Sequence, residues 1–222
     1  LSVRAAGARV WKRTLRKLVP IYEEAAFDRD LMEEGERNLV NHFQRKGFFD
    51  AKVKAEIREE HSQLSVVYQI QKGERHRVSS VSVTGNQQLD EDDLMEQVVV
   101  RRGGFLSRGK FSQDLLKRSV NNLAALYRNA GFTDVQVQPD VVDRERKVDV
   151  NFKIAEGKAT LVESLKIEGN KTQTIAALAP DGLNLEQGQP YSRARLDKDR
   201  NQIVASYLNL GYLNANFKSI VE

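Results

Sequence analysis

Residues that could carry chemistry are few in this chain, and none belongs to a complete set. From Gly104 to Lys110 the sequence follows the first seven positions of the phosphate-loop pattern G-x-x-x-x-G-K-[ST]. The next residue is Phe111, so the hydroxyl that would bind magnesium is missing, and the stretch joins two predicted helices where a phosphate loop joins a strand to a helix. His42, His61 and His76 show no ligand spacing, and Leu126, Glu145 and Thr160 hold the corresponding places one repeat later. Acidic pairs such as Glu33-Glu34 and Glu59-Glu60 are adjacent in sequence, unlike carboxylates that converge on one bond as an acid and a base. No nucleophile elbow is present, and the absence of cysteine removes disulfides and thiolate metal sites. The expectation is a protein with no catalytic residues, no metal and no cofactor.

Bulk composition points to a folded chain that binds. Hydrophobic residues make up 40% and charged residues 30% of the 222, as in ordinary globular domains. The formal net charge is +4, with Arg9, Lys12, Arg13, Arg16 and Lys17 gathered near the start. A basic helix face of this kind reads as a solvated surface, and nucleic-acid binding is not expected. No apolar run approaches the roughly 18 residues a membrane helix needs. Leu1 is not an initiator and no basic-then-apolar leader follows it, so a processed chain or an excised piece is expected.

The elements that position everything are repeated. Gly47-Phe48, Gly131-Phe132 and Gly211-Tyr212 each follow an amphipathic stretch and precede an alternating one. Their intervals are 131 − 47 = 84 and 211 − 131 = 80 residues. Gly73 with Gly157, and Gly85-Asn86 with Gly169-Asn170, repeat at the same 84-residue step. Several landmarks in one register mark an array of modules, and arrays work through surfaces. We place the modules at 1–75, 76–158 and 159–222, the last ending before its final strand.

The middle module predicts its own topology. Val78 to Thr84 is a β-branched strand and Gly85-Asn86 a turn. Asp90 to Asp93 opens a short helix that Leu94, Met95 and Val98 continue. A second helix starts with an apolar residue before an N-cap: Phe111-Ser112 with Leu116, and likewise Phe27-Asp28 with Met32 and Tyr191-Ser192 with Leu196. Leu123 and Tyr127, matched by Leu39 with Phe43 and Ile203 with Tyr207, form its buried stripe. Gly131 closes the helix. Val135 and Val137 then alternate with polar residues, and Val148, Val150, Phe152 and Ile154 form a last strand, matched by Leu64, Val66, Tyr68 and Ile70. The fold class is α+β: tandem β-α-α-β-β modules, each a three-stranded mixed sheet covered on one face by two antiparallel helices.

That order and those landmarks resemble the POTRA (polypeptide-transport-associated) domain. The resemblance rests on Gly-Asn after the first strand, the aromatic-and-cap start of the second helix, and Gly-Phe/Tyr before the second strand. Phe27-Asp28, Asn38-Leu39, Phe43 and Gly47 to Ala51 look especially like the barrel-assembly type. It implies the periplasmic arm of an outer-membrane assembly machine in a Gram-negative-type bacterium. Its partners would be unfolded outer-membrane protein precursors, accessory periplasmic or lipoprotein subunits, and a membrane barrel in the same protein. Two departures stand out. Only 20 residues separate Gly7 from Phe27, against 26 in the second module, so the first module's first helix should be shorter or displaced. The third module lacks its central strand, so its sheet should be incomplete.

In this arrangement the second strand lies at a sheet edge, where an extended client can pair through backbone hydrogen bonds. The candidate client-binding residues are Ala51, Lys52, Val53, Lys54 and Ala55; Val135, Gln136 and Val137; and Ala215, Asn216, Phe217 and Lys218. Lys52 and Lys54 should discourage casual pairing and Pro139 should stop it, so the third edge is expected to pair most readily and the second least. The Gly-Phe/Tyr landmarks are read as packing and chain reversal. Rival readings are a pure scaffold and the arm of a two-partner secretion transporter.

Overall fold

The computed structural model describes residues 2–21, 28–60, 63–105 and 107–221. The chain divides into two compact units, one of Leu1–Thr84, Met95–Asn121 and Gln138–Lys153, the other of Gly85–Leu94, Asn122–Val137 and Ile154–Glu222.

In the first unit, β1 (Ser2–Ala6), α1 (Lys12–Leu18), α2 (Arg29–Gln44), β2 (Lys52–Glu60) and β3 (Gln63–Gln71) follow in the predicted order. The sheet runs β1-β3-β2, with β1 parallel and β2 antiparallel to the central β3. Register is unbroken from Lys52 opposite Gln71 to Glu60 opposite Gln63. Alternation along β3 buries Val66 and Tyr68, and both helices close over that face through Leu15 and Leu39. Phe43, Ala51 and Ile70 form a second, smaller cluster. Leu64, expected inside, is 46% exposed.

α1 has the same seven-residue length as α3 (Glu91–Gln97), so the first module's shorter spacing falls in the connection between its helices and leaves the first helix intact. Asp28 caps α2, its carboxylate accepting from the amides of Asp30 and Leu31 at 2.7 and 3.3 Å. Phe27, its expected apolar companion, lies outside the described residues. Gly35 lets α2 approach the sheet closely: a Cβ there would sit 2.5 Å from the Tyr68 hydroxyl.

A second sheet runs β4 (Arg77–Thr84), β6 (Lys147–Ala155), β5 (Gln136–Arg144), with β4 parallel to β6 and a register shift between Val78 and Ser80. Glu145 and Arg146 both have positive φ (50° and 67°), forming the two-residue turn that joins β5 to β6. The buried stripe of α4 (Gln113–Asn129) includes Leu116, Leu123 and Tyr127, as its spacing predicts.

In the second unit, residues 159–221 carry α5 (Ile175–Leu178) and α6 (Arg193–Asn209) but no strand among the described residues. Val162, Leu185 and Leu196 form a small core. The repeated glycines have different surroundings in the three modules. A Cβ on Gly7 would collide with the Ile70 carbonyl, and one on Gly85 with the Ile154 carbonyl, whereas Gly169 has nothing within 4 Å. No strand stands there among the described residues, and Leu213, Ile220 and Val221 are exposed.

Candidate functional site

β3 pairs with β2 on one side only, so the other side of β2 is the predicted free edge. The Ala55 amide points out of the sheet there and donates to Glu36 Oε1 at 2.6 Å. In-plane groups alternate along a strand, so the amides of Val53 and Ile57 face the same way. Val53 and Ala55 turn their side chains into the core, while Lys52 and Lys54 are exposed. Ala51 precedes the strand and is buried. An open groove of about 890 Å³ runs between α2 and this edge, lined by Arg29, Met32, Glu33 and Arg37 on one side and residues 52–56 on the other. Beneath it, burial and then the Glu36 carboxylate push the Tyr68 hydroxyl up to about 12.

The second module treats the matching place differently. Pro139 stands 139 − 55 = 84 residues after Ala55, and Val120 stands 120 − 36 = 84 residues after Glu36. β5 is also an edge strand, and Pro139 gives it no amide at this position. Gln136 and Val137 lie in β5, whereas Val135 is buried just before it.

For the third edge the expectation of a strand is corrected. Asn214 to Ile220, including Ala215, Asn216, Phe217 and Lys218, has no strand. Among the described residues no strand lies beside it to form a ladder, and an isolated extended segment does not hold strand geometry. These residues instead line an open groove of about 780 Å³ with Ile167, Ile203 and Tyr207.

The landmark residues close their helices in one pattern. Gly47, Gly131 and Gly211 have φ of 91°, 93° and 88°. The following amides of Phe48, Phe132 and Tyr212 donate back to the carbonyls of Phe43, Tyr127 and Tyr207. Each returning ring meets the helix ring edge-on, at 6.2, 5.6 and 5.5 Å. Asn86 and Asn170 each donate from Nδ2 to the carbonyl three residues on, Leu89 and Gln173.

The glycine carbonyls also tie module to module. Gly47 O accepts from His76 N at 2.7 Å and Gly131 O from Thr160 N at 2.8 Å. At the first of these junctions Phe49 packs on Phe111 (4.8 Å) and on His76 (5.7 Å). His76, only 8% exposed in its side chain, lies between two carboxylates: Nε2 is 3.1 Å from Asp50 Oδ2, and Nδ1 is 2.5 Å from Asp143 Oδ2. Sequence spacing carries no sign of this group because its members come from a loop, a linker and a strand in two modules.

A third feature has no sequence signature either. Ser119, buried on α4, accepts the amides of Val99 and Val100, while Asp199, buried on α6, accepts the amides of Asn184 and Leu185. Each fastens the segment before its helix. Two amides of the phosphate-loop look-alike are engaged: Lys110 N donates to Arg101 O and Gly109 N to Ser107 Oγ. Its Phe105 is fully exposed.

Mixed three-stranded sheets in β-α-α-β-β order, repeated along the chain and presenting edge strands, define an α+β protein of tandem modules. A family model described as "POTRA: Surface antigen variable number repeat" matches residues 2–73, 76–157 and 160–222, and the chain belongs to this family. It is 26% identical over 195 residues to the outer membrane protein assembly factor BamA of Neorickettsia risticii, covering 86% of this chain and 24% of that protein. It is 25% identical over 177 residues to BamA of Neisseria meningitidis serogroup B, covering 76% and 21%. The chain thus spans about a quarter or less of the length of these relatives. The crystal structure of Haemophilus influenzae BamA POTRA3-5 shares the fold, with a TM-score of 0.63 at 14% identity over 93% of this chain and 85% of that one. Among the described residues no helix is long and apolar enough to cross a membrane.

Proposed function

We propose that the chain is the periplasmic arm of an outer-membrane protein assembly factor, and that its first module receives unfolded barrel precursors by strand addition along β2. The observation that carries this reading is the free β2 edge beside a groove, with its Ala55 amide held by one displaceable side chain. An incoming strand supplies carbonyls to the amides of Val53, Ala55 and Ile57 and releases Glu36. Each such bond contributes about 1 kcal/mol net, and none depends on the client's side chains, as suits a receptor for many sequences. The relatives' names, and the likeness over most of this chain, support the setting.

A photoreactive residue at exposed Ile57 in the parent protein tests the idea. Capture of unfolded barrel chains from position 57, and not from exposed Val141 on β5, is the expected result. Capture of accessory subunits alone would favour the scaffold reading, for which fully exposed Phe105 is the supporting feature.

A further inference from the structure

We propose that His76 Nδ1 and the Asp143 carboxylate bind a divalent transition-metal ion of the zinc type, with Asp50 orienting the ring from its other nitrogen. Asp50, His76 and Asp143 each offer one ligand atom, and these atoms lie within 4.8 Å of one another. The imidazole is held in place: its backbone amide is bound to Gly47 O, and Phe49 packs against its ring.

The hydrogen bonding shows what is missing. A neutral imidazole has one N–H and one bare lone pair. Asp50, an acceptor, faces Nε2 at 3.1 Å and can take an N–H there. Nδ1 is buried with no hydrogen-bond partner, although Asp143 Oδ2 lies 2.5 Å away. No hydrogen bond joins it to that carboxylate oxygen, and a cation there would pair with both. Carboxylate–histidine–metal is the arrangement that resolves this: the outer carboxylate fixes the tautomer and the inner nitrogen ligates.

The donor set selects the ion. Imidazole nitrogen with carboxylate oxygen suits zinc, nickel or copper, whereas magnesium and calcium prefer all-oxygen shells. The Asp143 side chain is 36% exposed, so its carboxylate can swing outward to admit metal bonds of about 2.0–2.2 Å. Water would complete the shell from the solvent side. The second junction is an internal control, since Thr160 stands where His76 does. A bound ion would tie the linker at His76 to strand β5.

Isothermal titration of the intact 222-residue chain with zinc chloride, alongside nitrogen NMR of its histidines, tests the site. The expected result is one saturable site that magnesium does not displace, with the response confined to His76 Nδ1. Asp143→Asn, at a partly exposed position compatible with folding, should weaken binding about tenfold or more. Asp50→Asn should weaken it about 10–100-fold, and His42→Gln should change nothing. Absence of saturable zinc binding would overturn the proposal. So would equal affinity in Asp143→Asn, or a His76 ring carrying protons on both nitrogens and indifferent to zinc.

Discussion

Ala55 and Pro139 occupy the same place in successive modules, each on the strand that ends its sheet. In the first module the outward amide exists and is covered by Glu36; in the second it is deleted by proline, and Val120 stands where the carboxylate would be. Both devices protect an edge from indiscriminate pairing. They differ in reversibility, because a side chain can swing away and a pyrrolidine ring cannot. One edge is therefore shut and the other latched, which gives otherwise similar modules different work.

The largest expected effect comes from exchanging the devices. Ala55→Pro should reduce affinity for an extended peptide by about tenfold or more, since it removes the central donor of the edge. The melting temperature should change little, because an outward amide makes no ladder bond. Pro139→Ala should create a pairing edge in β5 that no carboxylate covers. Peptide-induced amide shifts in residues 136–144 would show it, and their absence would break the proposed equivalence.

Gly35 and Ser119 sharpen the comparison at the helices, again 84 residues apart. Gly35→Ala should destabilise the first module by about 1–3 kcal/mol through overpacking against Tyr68, despite alanine's better helix propensity. Ser119→Ala should cost about 1–3 kcal/mol by leaving the Val99 and Val100 amides unpaired. Urea unfolding followed by module-specific NMR signals separates the two.

Removing the latch is a subtler change. Glu36→Ala should speed hydrogen exchange at Ala55 by about tenfold, equivalent to about 1.4 kcal/mol, and raise peptide affinity by up to a similar factor. Unchanged exchange would show that Glu36 does not cover the edge.

The smallest effect is a pH dependence at Glu156 of the second module. Burial alone would raise the Glu156 carboxyl. The amides of Gln87 and Gln88 and the Tyr127 hydroxyl outweigh that and hold it below its usual value. Since the folded pKa is depressed, this stabilisation is present above about pH 4.5 and fades as the pH falls through the folded value. The first module has Phe43 and Lys72 in the corresponding places and so lacks this particular group. Urea midpoints of the intact chain and Glu156→Gln should differ at pH 6 and converge near pH 3.

Much of this is legible in the sequence, for a physical reason. Helix-closing glycines, aromatic returns and strand alternation are local, so the 84-residue step carries them without knowledge of long-range contacts. Pro139 is legible as an edge residue because proline cannot sit in a central ladder. Glu36 is not, since its role depends on α2 lying over β2 in one register. His76 is hidden for the same reason, its carboxylates arriving from other elements. The third edge reads as a strand from composition, yet pairing makes a strand, and no partner stands beside Asn214 to Ile220 among the described residues.

The most direct test is an NMR titration of the isotope-labelled chain with an extended peptide copied from the end of an outer-membrane barrel strand. The reversible-latch account predicts saturable shifts at the amides of Val53, Ala55 and Ile57, lost in Ala55→Pro, with none in residues 136–144. Shifts of equal size on β5, or shifts on β2 that survive Ala55→Pro, would contradict it.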